Sequence, residues 1–127
     1  MKEFTITYPK TVSLYLGREK NGNVVAVIDG NLIEAKYSLM IENHSPTGFN
    51  YGYSGSGPAQ LALACCLHLF PQLLARLVYQ KFKEDYIAPL DQYAQEITCE
   101  INISEFVKKH TETFEMWQDD FLHPTLI

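Results

Sequence analysis

An α+β fold is what the sequence predicts: a small antiparallel sheet with two or three helices packed on one face. Three observations carry that expectation. Near the start of the chain, runs of β-branched and aromatic residues are separated by Asn-Gly and Asp-Gly pairs. In the middle, an almost wholly apolar helix is followed by an amphipathic one. Beyond residue 95, a run that alternates apolar and polar residues gives way to a helical stripe.

Thr11–Arg18 (TVSLYLGR) and Val24–Ile28 (VVAVI) read as strands because branched and aromatic side chains dominate them. Lys20-Asn21-Gly22-Asn23 lies between, and Asn-Gly tolerates the positive φ angles of a hairpin turn. Asp29-Gly30 repeats the signal ahead of Asn31–Lys36, so a three-stranded meander is expected. Phe4, Ile6 and Tyr8 also alternate, and Pro9 confines any strand there to an edge or a short piece. Pro58 suits the first turn of a helix, with Ser56 or Gly57 as its N-cap. From Leu61 to Phe70 only His68 is polar, which predicts a helix buried on nearly all sides.

Pro71 stops that helix and opens a second one, running to about Ile87. Leu74, Val78, Phe82 and Tyr86 repeat every four residues with Leu73 and Leu77 alongside; Arg76, Gln80, Lys81, Lys83 and Glu84 form the other face. Ile97, Cys99, Ile101 and Ile103 alternate with Thr98, Glu100 and Asn102 as a half-exposed strand. Ser104 reads as the N-cap of a third helix with Phe106, His110, Phe114, Trp117 and Phe121 along one stripe. The tail HPTLI is expected to be loose.

At 127 residues the chain is expected to form one domain, and 46% hydrophobic residues supply a core. A formal net charge of −5 argues against general binding to nucleic-acid backbones, which favours basic surfaces. The three cysteines, Cys65, Cys66 and Cys99, follow no zinc spacing, and adjacent helical cysteines point about 100° apart, too far to pair. Reduced core thiols in a cytoplasmic protein are expected. MKEFTITYPK has no apolar signal region. Leu61–Leu67, the longest apolar run, is far short of the roughly 20 residues a bilayer requires, so no membrane partner is expected.

Between residues 42 and 57 the chain has no helical period, and structureless connections of that length are often functional. Gly52, Gly55 and Gly57 let a ligand approach the backbone, while the following helix aims its positive end at the same place. Ser54 and Ser56 add hydroxyls. Phe49, Tyr51 and Tyr53 alternate, so an extended backbone would project all three rings from one face, where a base stacks with roughly 1–3 kcal/mol. Asn43, His44, Phe49, Tyr51, Tyr53, Ser54, Gly55, Ser56, Gly57 and Gln60 are the expected ligand-binding set. The competing account is structural: glycines for a sharp turn, a serine for the cap and aromatics for the core. The glycine spacing is neither a Walker loop nor a dinucleotide fingerprint.

Asn43-His44-Ser45-Pro46-Thr47-Gly48-Phe49 and Gly52-Tyr53-Ser54-Gly55-Ser56-Gly57-Pro58-Ala59-Gln60-Leu61-Ala62-Leu63-Ala64 resemble the hallmark of a small uncharacterised domain family of bacteria, phages and mobile elements. Leu77-Val78-Tyr79-Gln80-Lys81-Phe82-Lys83 is similar to a second segment of that family. The resemblance spans about Val24 to Leu90. It departs at Cys65–Pro71, where the family has an acidic, glycine-containing turn. It implies no established activity, but its phage and mobile-element setting implies a counter-defence or regulatory role.

Catalysis has weaker support. No Gly-x-Ser-x-Gly elbow surrounds Ser54, and loop proximity alone supplies no base for it. Cys65 and Cys66 sit in an apolar helix, where burial raises a thiol pKa; His68 shares a face with Cys65 and reads as a satisfied core histidine. Glu112, Glu115, Asp119 and Asp120 make an acidic end, open to solvent or to a basic protein. The expected function is therefore a non-catalytic binding protein without cofactor, metal or catalytic residues. It would sequester a small anionic nucleotide or block a host defence protein. The alternatives are an enzyme acting on a nucleotide through the glycine-rich loop and an interaction module using the acidic end. A homo-oligomer is also compatible with the exposed aromatics.

Overall fold

The computed structural model describes residues 8–122, apart from the side chains of 121 and 122. Phe4, Ile6, the side chain of Phe121 and the tail lie outside the described residues. Tyr8 is in no strand; its ring meets Phe70 edge-on at 6.4 Å.

Four strands form one antiparallel sheet: β1 (Thr11–Arg18), β2 (Val24–Ile28), β3 (Asn31–Ile33) and β4 (Glu96–Asn102), in the order β3-β2-β1-β4. The expected meander is present. Asp29 (φ 48°) and Gly30 (φ 82°) both take the left-handed conformation that a two-residue type I′ hairpin requires. Val12, Leu14 and Leu16 alternate inward with Val24, Ala26 and Ile28, giving the sheet one buried face. β4 joins beside β1 and brings Ile101 opposite Val12 on that face.

The third strand stops at Ile33 rather than Lys36. Helix α1 (Ala35–Ile41) follows at once, because Ala-Lys-Tyr-Ser-Leu-Met suits a helix better than a strand. Ser38 is the one fully buried side chain in α1, so no apolar stripe announces it. Helix α2 (Ser56–Leu69) is buried without a break from Gly57 to Cys66. Gly55, rather than Ser56 or Gly57, is its N-cap, since Ser56 is already helical. Among the described residues no helix is long and apolar enough to cross a membrane.

Helix α3 (Gln72–Phe82) begins after Pro71 and passes into a π-helical turn, Lys83–Ile87. Leu74, Val78 and Phe82 are buried as the spacing predicts, but Leu73 is exposed. The expected third helix is two helices, α4 (Ile103–Lys109) and α5 (Thr111–Trp117), broken at His110. Asn102 caps α4 instead of Ser104: its side chain accepts from the Glu105 N–H at 3.0 Å, which leaves Ser104 inside the first turn. Phe106 centres the aromatic packing, with ring centroids of Phe82, Tyr86, His110 and Phe114 at 5.5, 5.7, 4.9 and 6.0 Å.

A half-buried ion cluster ties α4 to the π turn. Lys109 Nζ donates to Asp85 Oδ1 and His110 Nε2 to Asp85 Oδ2, both at 2.8 Å. Burial raises the Asp85 carboxyl, but the hydrogen bonds from Lys109 and His110 outweigh it and hold the group below the ordinary 3.8. A depressed carboxylate adds stability above its unfolded value and loses it as pH falls through the folded one. The urea midpoint is therefore expected to fall with pH below 3.8, and to do so less steeply in Asp85→Asn. Equal slopes in the two proteins would remove Asp85 from the account.

Candidate binding surface

One buried amide organises the hallmark loop. Gln60, in the first turns of α2, has its side chain fully buried beneath residues 42–45. Its Oε1 accepts from the backbone N–H groups of His44 (2.7 Å) and Ser45 (3.1 Å). Its Nε2 donates to Ser38 Oγ (2.8 Å) and to the Glu42 carbonyl (3.1 Å). All four hydrogen-bonding positions of the amide are thus used within the protein. Gln60 is a staple, and the expectation that it contacts a ligand is corrected.

The two hallmark segments meet on α3. His44 Nε2 and the Tyr79 hydroxyl share a 2.7 Å hydrogen bond, and that hydroxyl lies 3.3 Å from Glu42 Oε2. Burial, followed by the Glu42 charge and hydrogen bond, raises the Tyr79 phenol, so the group stays protonated. Further along, Ser54 Oγ donates to Glu84 Oε1 at 2.5 Å, and Lys83 Nζ lies 3.2 Å from the same oxygen. The Ser54 hydroxyl and then Lys83 hold Glu84 below its ordinary 4.5. These contacts fasten the loop to α3 and its π turn.

The three rings do not share a face. Tyr51 is fully buried, its hydroxyl donates to the Ala94 carbonyl, and Arg18 lies 4.5 Å over its ring. The Arg18 guanidinium also donates to Asn50 Oδ1 and the Gln92 carbonyl. Tyr51 as a ligand-stacking ring is therefore corrected. Tyr53 is partly exposed, with its ring folded over Gly55. Gly57 is buried with Asn50 pressed against it, so it offers no open backbone to a ligand. Asn43 and Ser56 are exposed, and Phe49 lines one of the two hollows beside β3.

Two hollows open beside β3, and both are lined by Leu32, Ile33 and Glu34. The first, about 280 Å³, is completed by Tyr37, Ser38, Ala64, Leu67 and His68. The second, about 370 Å³, reaches Glu19, Val25, Lys36 and the hallmark residues Thr47, Gly48 and Phe49. Leu32 is 61%, Tyr37 62% and Met40 81% exposed. His68 is exposed as well, so it is neither a core histidine nor a partner of Cys65. Burial pushes the Cys65 thiol up to about 12 and Cys66 well above its ordinary value.

Leu32 escaped sequence reasoning because it sat inside an expected strand running to Lys36, and Tyr37 and Met40 because they fell just beyond that strand, in a stretch for which the sequence predicts no element. The available signal was an excess of apolar residues over 32–41 for a single inward stripe.

No curated protein and no solved structure matches the chain. The sequence profile of a family of unknown function, DUF6166, matches residues 15–118, running well past the hallmark segments into α5. The chain belongs to that family.

Proposed function

We propose that this protein is a non-catalytic binding protein that grips a partner protein through the hollows beside β3. In the phage and mobile-element setting that the resemblance implies, that partner is a host defence protein. The observation that carries this reading is the pair Leu32 and Tyr37, large apolar side chains left open to water on the wall of the first hollow, with Met40 exposed on the same helix as Tyr37. The charges favour a protein over an anionic nucleotide: Glu19 and Glu34 face the second hollow against one cation, Lys36, which already pairs with Glu34 at 3.3 Å. A guest with apolar side chains and a neighbouring lysine or arginine suits that lining. The raised thiol pKa values of the buried Cys65 and Cys66 support binding without thiol chemistry.

The test compares immobilised proteins exposed to extract from the host. A partner retained by the wild type should be lost by the double variant Leu32→Asp/Tyr37→Asp. Tyr93→Asp should keep it, because Tyr93 is 80% exposed but lines neither hollow. Retention by the double variant would end the proposal, as would equal loss with Tyr93→Asp.

A further inference from the structure

We propose that an extended, lysine- or arginine-bearing segment of the partner adds to the sheet along β3, main chain to main chain, and seats an aliphatic side chain in the hollow lined by Ala64 and Leu67. This rests on the protein-binding reading above and specifies its mode. The hydrogen-bond parity of the hairpin carries it. In a two-residue type I′ turn the flanking residues, here Ile28 and Asn31, exchange both of their backbone hydrogen bonds. Pairs then alternate along the ladder, so Val27 and Leu32 form a non-hydrogen-bonded pair, and Ala26 and Ile33 a bonded one. The Asp29 N–H bond to the Ser13 carbonyl, 3.0 Å, fixes the same parity from the β1 side.

The Leu32 N–H and C=O therefore point away from β2. β3 ends the sheet, and among the described residues no other strand pairs with it. An exposed strand edge is a template for an incoming strand. This edge is three residues long, too short to hold a guest by main-chain bonds alone. The two hollows supply the rest: both meet at Leu32–Glu34, so a strand laid there runs past each of them. Glu19 and Glu34 select its charge, and the overall −5 of the chain opposes a second copy in the same place.

The probe is a synthetic peptide, Lys-Val-Thr-Leu-Thr-Val-Lys, labelled for fluorescence anisotropy and titrated against the whole chain. N-methylation of its central leucine should weaken binding about tenfold, and so should Leu32→Pro, since each deletes one outward main-chain donor. Leu32→Pro should keep its thermal transition near that of the wild type, because the lost N–H does not pair with β2. Leu32→Ile should bind as the wild type does, and replacing both peptide lysines by glutamate should abolish binding. Loss of binding with Tyr37→Asp, but indifference to N-methylation and to Leu32→Pro, would overturn strand addition and leave the protein-binding surface standing. Failure of the lysine peptide to bind at all would overturn strand addition, while loss of the extract partner tests the surface separately. A dimer in sedimentation that Leu32→Pro dissociates would assign the edge to a second copy and also overturn the proposal.

Discussion

Gly52→Ala is expected to lower the free energy of unfolding by about 4 kcal/mol, the sum of backbone strain and overpacking. Gly52 has φ +90°, a conformation that an L side chain enters only with strain. A Cβ placed there would lie 2.4 Å from the N, Cα and Cβ atoms of Gln92, so backbone has to move. The Gly52 N–H donates to the Ile87 carbonyl at 3.1 Å, which keeps the loop from backing away. Displacement of Gln92 would also disturb its carbonyl, which accepts from Arg18, and with it the cover over Tyr51. Gly48 provides the control. Its φ is +109°, but nothing lies within 4 Å of the point a methyl group would occupy. Gly48→Ala should therefore show only the strain, about 1 kcal/mol. Urea unfolding of both variants checks the pair, and equal losses would mean that the contact with Gln92 contributes nothing.

The same glycine explains what could and could not be read from the chain. Alternation of Phe49, Tyr51 and Tyr53 places three rings on one face only if the backbone stays extended. The left-handed turn at Gly52 breaks that alternation, so Tyr51 turns inward to Ala94 while Tyr53 folds over Gly55. The hairpin turns were legible because they act locally: Asp29-Gly30 takes positive φ at both residues, and in the first, longer turn Gly22 alone supplies the left-handed position. α2 was legible because ten consecutive positions from Gly57 to Cys66 are buried. By contrast, α1 has one buried side chain, a serine, so hydrophobic periodicity had nothing to report. Asn102 was passed over as a cap because Ser104 is as good a capping residue, and only the start of the helix at Ile103 decides between them.

The hallmark thus divides into a scaffold and an exposed remainder, and Gln60 is where the scaffold can be broken cleanly. Gln60→Leu keeps the approximate volume but leaves the His44 and Ser45 N–H groups and the Glu42 carbonyl without their partner, and Ser38 Oγ with only its bond to the Ala35 carbonyl. Unsatisfied buried groups cost about 1–3 kcal/mol each, and water can reach the outer ones, so a net loss of about 3 kcal/mol is expected. The effect should not be uniform. Ser38 is the buried anchor of α1, and Gln60 is the side chain of α2 that holds it. α1 in turn carries Tyr37 and Ser38 on the wall of the first hollow. Hydrogen exchange should therefore quicken at residues 38–45 well before β1, β2 or the centre of α2 is affected. Partner retention should weaken along with it, although Gln60 is wholly out of a partner's reach. If exchange rises evenly over the whole chain, the staple is only one more contributor to global stability. If it rises at 38–45 while the partner binds as before, the binding surface does not depend on the position of α1, and the hollow beside β3 is the wrong place to look.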